Sequence, residues 1–219
     1  MVLTSNIKEI VICGSGGHGL STMALLGSQP QYKVIGFLDD TKPIDLEIVD
    51  GIRIIGGIRN CEEFLPTSTF LALGIGGPWP LKQRTEIYNL LIDKGFSFPE
   101  LIHPSAVIDT NVLLANGVQI HANATIRYGA RIGANTLINT GALVEHGCTI
   151  GEDSVLSPRS LICGNVQVGA RTLIGAGAVV LQDLNIGSDV LVGASSLILN
   201  NLQDNSYFRG VPGKSIDVQ

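Results

Sequence analysis

The chain has 219 residues, 45% hydrophobic and 15% charged, which is enough apolar material for one large domain or two small ones and excludes global disorder. A net charge of −5 at pH 7 excludes a general nucleic-acid surface, and no breaker-free apolar run reaches the ~18 residues that a membrane span needs. With 5% aromatics and 27 glycines, aliphatic side chains must fill the core and the backbone must make many tight turns.

The opening stretch MVLTSNIKEI has no basic n-region and does not read as a signal peptide. EIVICGS predicts a buried strand, GLSTMALLGSQ a helix, and YKVIGFLDD a second strand ending in two acids. STFLALGIGG predicts a third strand and WPLKQRTEIYNLLIDKG a second helix. Alternating strands and helices predict a small parallel α/β domain over residues 1–101. After the first strand, Gly14, Gly16 and Gly19 stand in G-x-G-x-x-G order, and Asp39 lies twenty residues beyond Gly19. That matches the dinucleotide fingerprint, in a domain that looks like half of the usual dinucleotide fold. The favoured reading is a site for the nucleotide portion of a substrate. Bound NAD and a ligand-free tight turn are the alternatives. His18, inside the turn, is placed either to touch a phosphate or sugar oxygen or to hydrogen-bond the helix start. Asp40 either meets ribose or base, or only caps a turn.

From about Ile102 the period becomes six. Every sixth residue from Ile108 to Ile198 is aliphatic, at all sixteen steps. The residues two positions earlier, from Ala106 to Ser196, form a second column of small or aliphatic side chains, and glycine follows the aliphatic residue at six of the sixteen steps. Helices and simple sheets have no such period; it is the signature of a hexapeptide β-helix. Three short sides close one triangular coil, the aliphatic residue points to the axis, and neighbouring coils cover one another. Residues 102–219 are therefore expected to form a parallel β-helix of about five coils with a C-terminal tail.

The phase places His146, in GALVEHGCTIGED, two residues beyond the inward Val144 and outside the coil near a corner. A lone outward histidine is most often solvated. Gly164 lies 18 residues after His146, so it stacks on it, and its N–H is a possible oxyanion donor or that of a corner glycine. Glu145 either holds an imidazole tautomer or is a solvated acid; Asn139 either orients the site or turns a corner. His103 reads as a junction residue and His121 as facing solvent or a neighbour. No histidine pair has metal-ligand spacing, so no metal is expected. The four cysteines lack CxxC spacing and fit a reduced, cytoplasmic protein. Cys148, in the small inward column, reads as inert packing.

Taken together, GSGGHG, GFLDD, HPSAVID, LINTGALVEHGCTIGED, GNVQVGARTLIGAGAVV and the closing RGVPGKSI resemble the sugar O/N-acyltransferases. These join a Rossmann-like domain to a left-handed β-helix, and they include the acetyltransferases of nucleotide-linked 4-amino sugars and the sialic acid O-acetyltransferases. The resemblance, not the period, supplies the hand. It implies acetyl-CoA-dependent transfer to the amine of a UDP- or GDP-linked amino-deoxy sugar in surface glycan assembly. It implies His146 as general base with Glu145 and Asn139 beside it, and Gly164 meeting the acetyl carbonyl. It assigns Gly14, Gly16, His18, Asp39 and Asp40 to the sugar nucleotide. It puts Gly175, Ala176 and the RGVPGK tail along the CoA channel, with Lys214 on a CoA phosphate. It further implies a homotrimer with active sites between subunits. Many relatives carry an acid where this chain has Gly147, some carry a second histidine where it has Val155, and a small residue where it has Arg159. O-acetylation of a free sugar such as sialic acid, or a non-catalytic sugar-nucleotide-binding protein, are the alternative readings.

Overall fold

The structure, a computed structural model, describes residues 7–63, 65–77, 79–211 and 214–215. The first six residues, Pro78 and the Pro212-Gly213 part of the RGVPGK tail lie outside the described residues. The chain divides into two units, Met1–Gly76 with Glu86–Pro99, and Gly77–Thr85 with Glu100–Gln219. A single cut after residue 101 therefore misses one feature: a short segment ahead of and into the second helix clusters with the coil.

In the first unit, β1 (Lys8–Cys13), β2 (Tyr32–Leu38), β4 (Ile52–Gly56) and β5 (Phe70–Leu73) are parallel neighbours, and β3 (Glu47–Val49) adds an antiparallel edge, in the order β3-β4-β2-β1-β5. β1 is central. Ile10, Val11, Ile12 and Cys13 are fully buried, which is why this run lacks polar alternation. Helix α1 (Gly17–Gly27) buries Thr22, Leu25 and Leu26 on one face. Helix α2 (Lys82–Asp93) contributes Ile87, Tyr88 and Leu91 to a core shared with Val11, Leu38, Leu71 and Phe98. The β3–β4 hairpin has no counterpart among the predicted elements. Its signal is Asp50-Gly51, both at positive φ (48° and 77°), a two-residue turn that suits strand twist.

The second unit is the β-helix. Two-residue strands stack in register 18 residues apart on three faces. The first face carries Ile108, Ile126, Val144, Ile162, Val180 and Ile198. The second carries Leu114, Ile132, Ile150, Val168 and Ile186. The third carries Ile102, Ile120, Ile138, Leu156, Ile174 and Val192, extended by Tyr207–Arg209 and the antiparallel Lys214–Ser215. From Ile120 to Ile198 every member of the aliphatic column is at most 3% exposed, and together they form one continuous core. Thr136, Ser154 and Thr172 sit in the small column because their hydroxyls donate to the carbonyls of Gly151, Gly169 and Gly187.

A third column closes the corners. Every sixth residue from Asn111 to Ser195 has a positive φ, and twelve of these fifteen are Gly, Asn or Asp, the residues that tolerate the left-handed region. Each inward aliphatic thus has a turn residue three positions later. On the outside of the third face, Leu137, Val155 and Leu173 are covered by Leu81 and Trp79. Arg84, only 1% exposed, donates to the carbonyl and side-chain oxygens of Asn135, and Asn135 donates to Asp153.

Candidate active site

His146 follows the strand Leu143–Val144, at the corner between the first and second faces. Val144 is locked inside, so the next residues must turn outward, and the His146 side chain is exposed. Its ring lies on Gly164 of the next coil. A Cβ at position 164 would stand 2.7 Å from Cε1 and 2.8 Å from Nε2 of the ring, closer than any side chain tolerates. The Gly164 N–H donates to no acceptor among the described residues, while the flanking Cys163 and Asn165 amides are paired with Val180 and His146 carbonyls. Glu145 sits at the same corner, but its Oε2 receives the backbone N–H of His146 at 3.4 Å and not the ring. Gly147 has φ +68°, and a Cβ there would collide with Oδ1 of Asn165. An acid at that position would carry the strain of the left-handed backbone and would have to displace the Asn165 amide. The Cys148 thiol donates to the Cys163 carbonyl at 3.0 Å, and burial pushes it up to about 11. Burial and the Glu145 carboxylate also raise Cys163, so neither sulfur is poised as a nucleophile.

Asn139 follows Ile138, at the corner between the third and first faces, and its Oδ1 receives the Thr140 N–H at 2.8 Å. Gly175 and Ala176 lie at the same corner two coils on. Gly175 has a steric reason as well: a Cβ would stand 2.5 Å from the amide nitrogen of Ala194, and Gly133, Gly151 and Gly169 meet the next coil in the same way. Within one chain, therefore, Asn139, Gly175 and Ala176 stand at one end of the first face, and Glu145, His146 and Gly164 at the other. Lys214 is exposed on the final strand of the third face, away from the His146 corner. Val155 is 4% exposed beneath Leu81 and Gly77, so it has no access to solvent. His121 is not a surface residue either. It is 5% exposed, and burial, helped by His103 and Arg84, lowers its pKa to about 4. The outward phase fails there because other side chains cover the third face.

In the first unit the glycine-rich turn is built by close backbone approach. Gly14 has φ +101°, and a Cβ on Gly19 or Gly74 would collide with the Gly14 carbonyl. Gly16 is the N-cap of α1, with no side-chain cap and no acid in the first turn, and nothing lies near a Cβ on Gly16 or Gly17. This end of α1 therefore has no side-chain cap at Gly16 and no acid of its own facing the helix dipole. Asp39 grips this turn. Its Oδ2 receives the Ser15 N–H and hydroxyl at 3.2 and 2.5 Å, and its Oδ1 receives those of Thr41 at 2.9 and 2.6 Å. Burial opposes its ionisation, but these four hydrogen bonds outweigh it and hold the carboxyl at about 2. Asp40 receives the Ile58 amide at 2.7 Å and faces Arg59 at 3.6 Å. Both acids are engaged by their own chain: Asp39 braces the glycine-rich turn, and Asp40 the loop that follows β4. The His18 side chain rests against Gly76. Lys42, which no sequence motif marked, donates to the Ser15 carbonyl at 3.0 Å.

Among the described residues, no group of three or more His, Cys, Asp or Glu is placed to hold a metal ion, and no helix is long and apolar enough to cross a membrane.

Fold and corner define a hexapeptide transferase. The bacterial transferase hexapeptide family matches residues 129–164 and 147–182, and the PglD N-terminal domain family matches residues 9–91. Among solved structures, a mutant of GDP-perosamine N-acetyl transferase from Caulobacter crescentus, in complex with CoA and GDP-perosamine, is 32% identical over 97% of this chain and 98% of that one, with a TM-score of 0.86. The acetyltransferase domain of PglB from Neisseria gonorrhoeae, in complex with acetyl coenzyme A, is 27% identical over 95% and 99%, at 0.88. WeeI from Acinetobacter baumannii, 20% identical over 95% and 100% at 0.83, shares the fold. A search of curated proteins by sequence gives no match. The chain belongs to the sugar N-acetyltransferase family that joins a PglD-type N-terminal domain to a left-handed β-helix, and it is an acyltransferase.

Proposed function

We propose that this protein transfers the acetyl group of acetyl-CoA to the amine of a nucleotide-linked amino-deoxy sugar, UDP- or GDP-linked, for surface glycan assembly in the cytoplasm. The observation that carries the reading is the His146 ring lying on Gly164, whose N–H has no acceptor among the described residues. An exposed imidazole can take a proton, and a free backbone N–H beside it can receive negative charge. Acyl transfer needs both groups at one place.

In this reading the amine nitrogen bonds to the thioester carbon while His146 accepts the amine proton. The carbonyl electron pair moves to oxygen, where the Gly164 N–H stabilises it, then returns as the carbon–sulfur bond breaks and CoA leaves as thiol. Gly14, Gly16 and the start of α1 hold the nucleotide phosphates. Asp39 braces that turn, Asp40 holds the neighbouring loop at Ile58, and both border the nucleotide with His18. Lys214 meets a CoA phosphate.

Asn139, Gly175 and Ala176 reach His146 from a second copy. The outer side of the first face bears Val107, Thr125, Leu143, Leu161, Val179 and Leu197, an aliphatic stripe interrupted by one threonine and with no charged member. Three copies with this face toward a common axis place the Asn139 corner of one against the His146 corner of the next, a ring that closes. CoA lies along that seam.

The test is CoA thiol release by the purified protein with acetyl-CoA and a panel of UDP- and GDP-linked 4-amino-4,6-dideoxy sugars, beside free sialic acid. Release is expected with one nucleotide sugar. It falls about 100-fold or more in His146→Ala and by a similar factor in Gly164→Ala, whose methyl displaces the ring. Release with sialic acid alone would make the protein an O-acetyltransferase, and full turnover in His146→Ala would remove the base.

A further inference from the structure

The corner column that holds His146 takes one residue from each coil: Thr110, Tyr128, His146, Gly164, Gln182 and Asn200. The backbone fixes its register, since the carbonyls of Tyr128, His146 and Gly164 accept the amides of Gly147, Asn165 and Asp183 on the coil that follows each. The repeat does not ask for a phenol ring here. The other members of the column are polar or small, and the interior at this level is closed by Ile126 and Ala130, both fully buried. Tyr128 is nevertheless 57% exposed, and it alone is exposed among the Phe, Trp and Tyr side chains of the described residues.

The ring is also held in one place. Its hydroxyl receives an Nδ2–H of Asn111 at 2.8 Å. Its backbone N–H donates to Asp109, whose carboxylate also meets Arg127 at 3.0 Å. Asn111 belongs to the preceding coil, so the tyrosine leans toward the start of the β-helix. His146 leans the other way, with its ring on Gly164 of the following coil. The two rings splay apart along the coil axis, and Tyr128, His146 and Gly147 are all exposed between them. The two sides of this opening differ in chemistry. Beyond His146 stands the Gly164 N–H, suited to developing negative charge. Before it stands an aromatic face whose polar tip is already engaged. A pyranose has the complement of that face: a flat side of C–H groups, with its hydroxyls at the rim.

We infer that Tyr128 is a specificity-determining residue for the acceptor, the wall on which the ring of the amino sugar lies, one coil before His146, while the thioester occupies the Gly164 side. This rests on the reading that His146 and Gly164 form the acyl-transfer corner. It adds a residue that recognises the sugar itself, apart from the nucleotide attached to it. The order along the coil axis, sugar wall, base, oxyanion donor, sets the amine between the sugar ring and the thioester carbon. Tyr128 forms no covalent bond in this role.

The experiment uses the whole protein, unaltered and as Tyr128→Ala and Tyr128→Phe. Thiol release gives KM for acetyl-CoA and for whichever UDP- or GDP-linked 4-amino-4,6-dideoxy sugar turns over best. Calorimetry gives the affinity for the matching free UDP or GDP, and light scattering gives the mass in solution. Tyr128→Ala is expected to raise KM for the nucleotide sugar about 10-fold. KM for acetyl-CoA, affinity for the free diphosphate and mass should stay as they are. Tyr128→Phe, which keeps the ring and gives up the bond to Asn111, recovers most of the loss. A KM for the sugar within twofold of the unaltered value in Tyr128→Ala overturns the inference and leaves the reading of the corner standing. Equal losses in Tyr128→Phe and Tyr128→Ala overturn it too, since the hydroxyl and not the ring would then be what acts. A change of mass with both KM values raised together also overturns it, by making Tyr128 a contact between copies. Thiol release with none of the sugars, or full turnover in His146→Ala, overturns the reading of the corner and the inference with it.

Discussion

Single residues in this protein are decided by what stacks on them 18 positions away. His121 and His146 are both outward by phase, one and two residues beyond an inward aliphatic. His146 stays exposed because its corner meets only the small Gly164; His121 is buried on the third face. The consequence is a pH effect with a definite sign. Burial holds His121 at about 4 in the folded chain, against about 6.5 when unfolded. Below about pH 6.5 the unfolded chain takes up a proton that the folded chain refuses. Stability from neutral His121 is complete above that pH and is lost progressively toward pH 4, by up to ~3 kcal/mol. Denaturant midpoints at pH 7 and pH 4.5 should therefore differ less for His121→Gln than for the unaltered protein. Equal losses in both would show that another group sets the acid limit.

At the scale of the element, the hexapeptide repeat is three columns, not two. The aliphatic and small columns fill the coil; the column of positive φ turns it. That third column was present in the sequence as Asn111, Gly117, Asn123, Gly129, Asn135 and Gly141, and it loses contrast later, where Arg159, Arg171 and Ser195 occupy it. The two arginines take the same strained backbone for different returns. Arg171 makes paired hydrogen bonds to Asp189 one coil on, at 2.9 and 2.6 Å. Arg159 is exposed and makes no side-chain hydrogen bond among the described residues. Opposite signs follow. Arg159→Asn should raise stability by about 0.5–1 kcal/mol, since Asn enters the left-handed region more readily. Arg171→Asn should lower it by about 1 kcal/mol through the lost ion pair. Chemical denaturation of both variants checks this, and a loss in Arg159→Asn would mean that its side chain has a contact of its own.

For the whole molecule, the proposed site makes a prediction about assembly. Asn139 and His146 lie seven residues apart in sequence yet at opposite ends of one face of the triangle. A site that uses both is assembled between copies. Chains carrying Asn139→Ala and chains carrying His146→Ala, each inactive alone, should regain activity when refolded or expressed together. Random assembly into closed rings leaves about a quarter of the sites with both groups intact. If the mixture stays as inactive as its components, the two residues act within one chain or Asn139 is dispensable, and the trimeric seam is wrong.

The sequence by itself determined the architecture. A period of six over sixteen steps admits one kind of coil, and a glycine fingerprint between strand and helix admits one kind of turn, because both signals repeat or sit next to each other in the chain. The stacking of His146 on Gly164 was legible for the same reason: 18 residues make one coil, so stacking is arithmetic. Tertiary structure decided what depends on partners distant in sequence and without a period. Asp39 and Asp40 became braces when their acceptor sites filled with amides and hydroxyls of their own unit. His121 and Val155 were buried by packing on the third face, and Lys42 gained its place over the glycine turn from a loop that carries no motif. Periodicity fixes which side of the coil a residue faces; only packing fixes what it meets there.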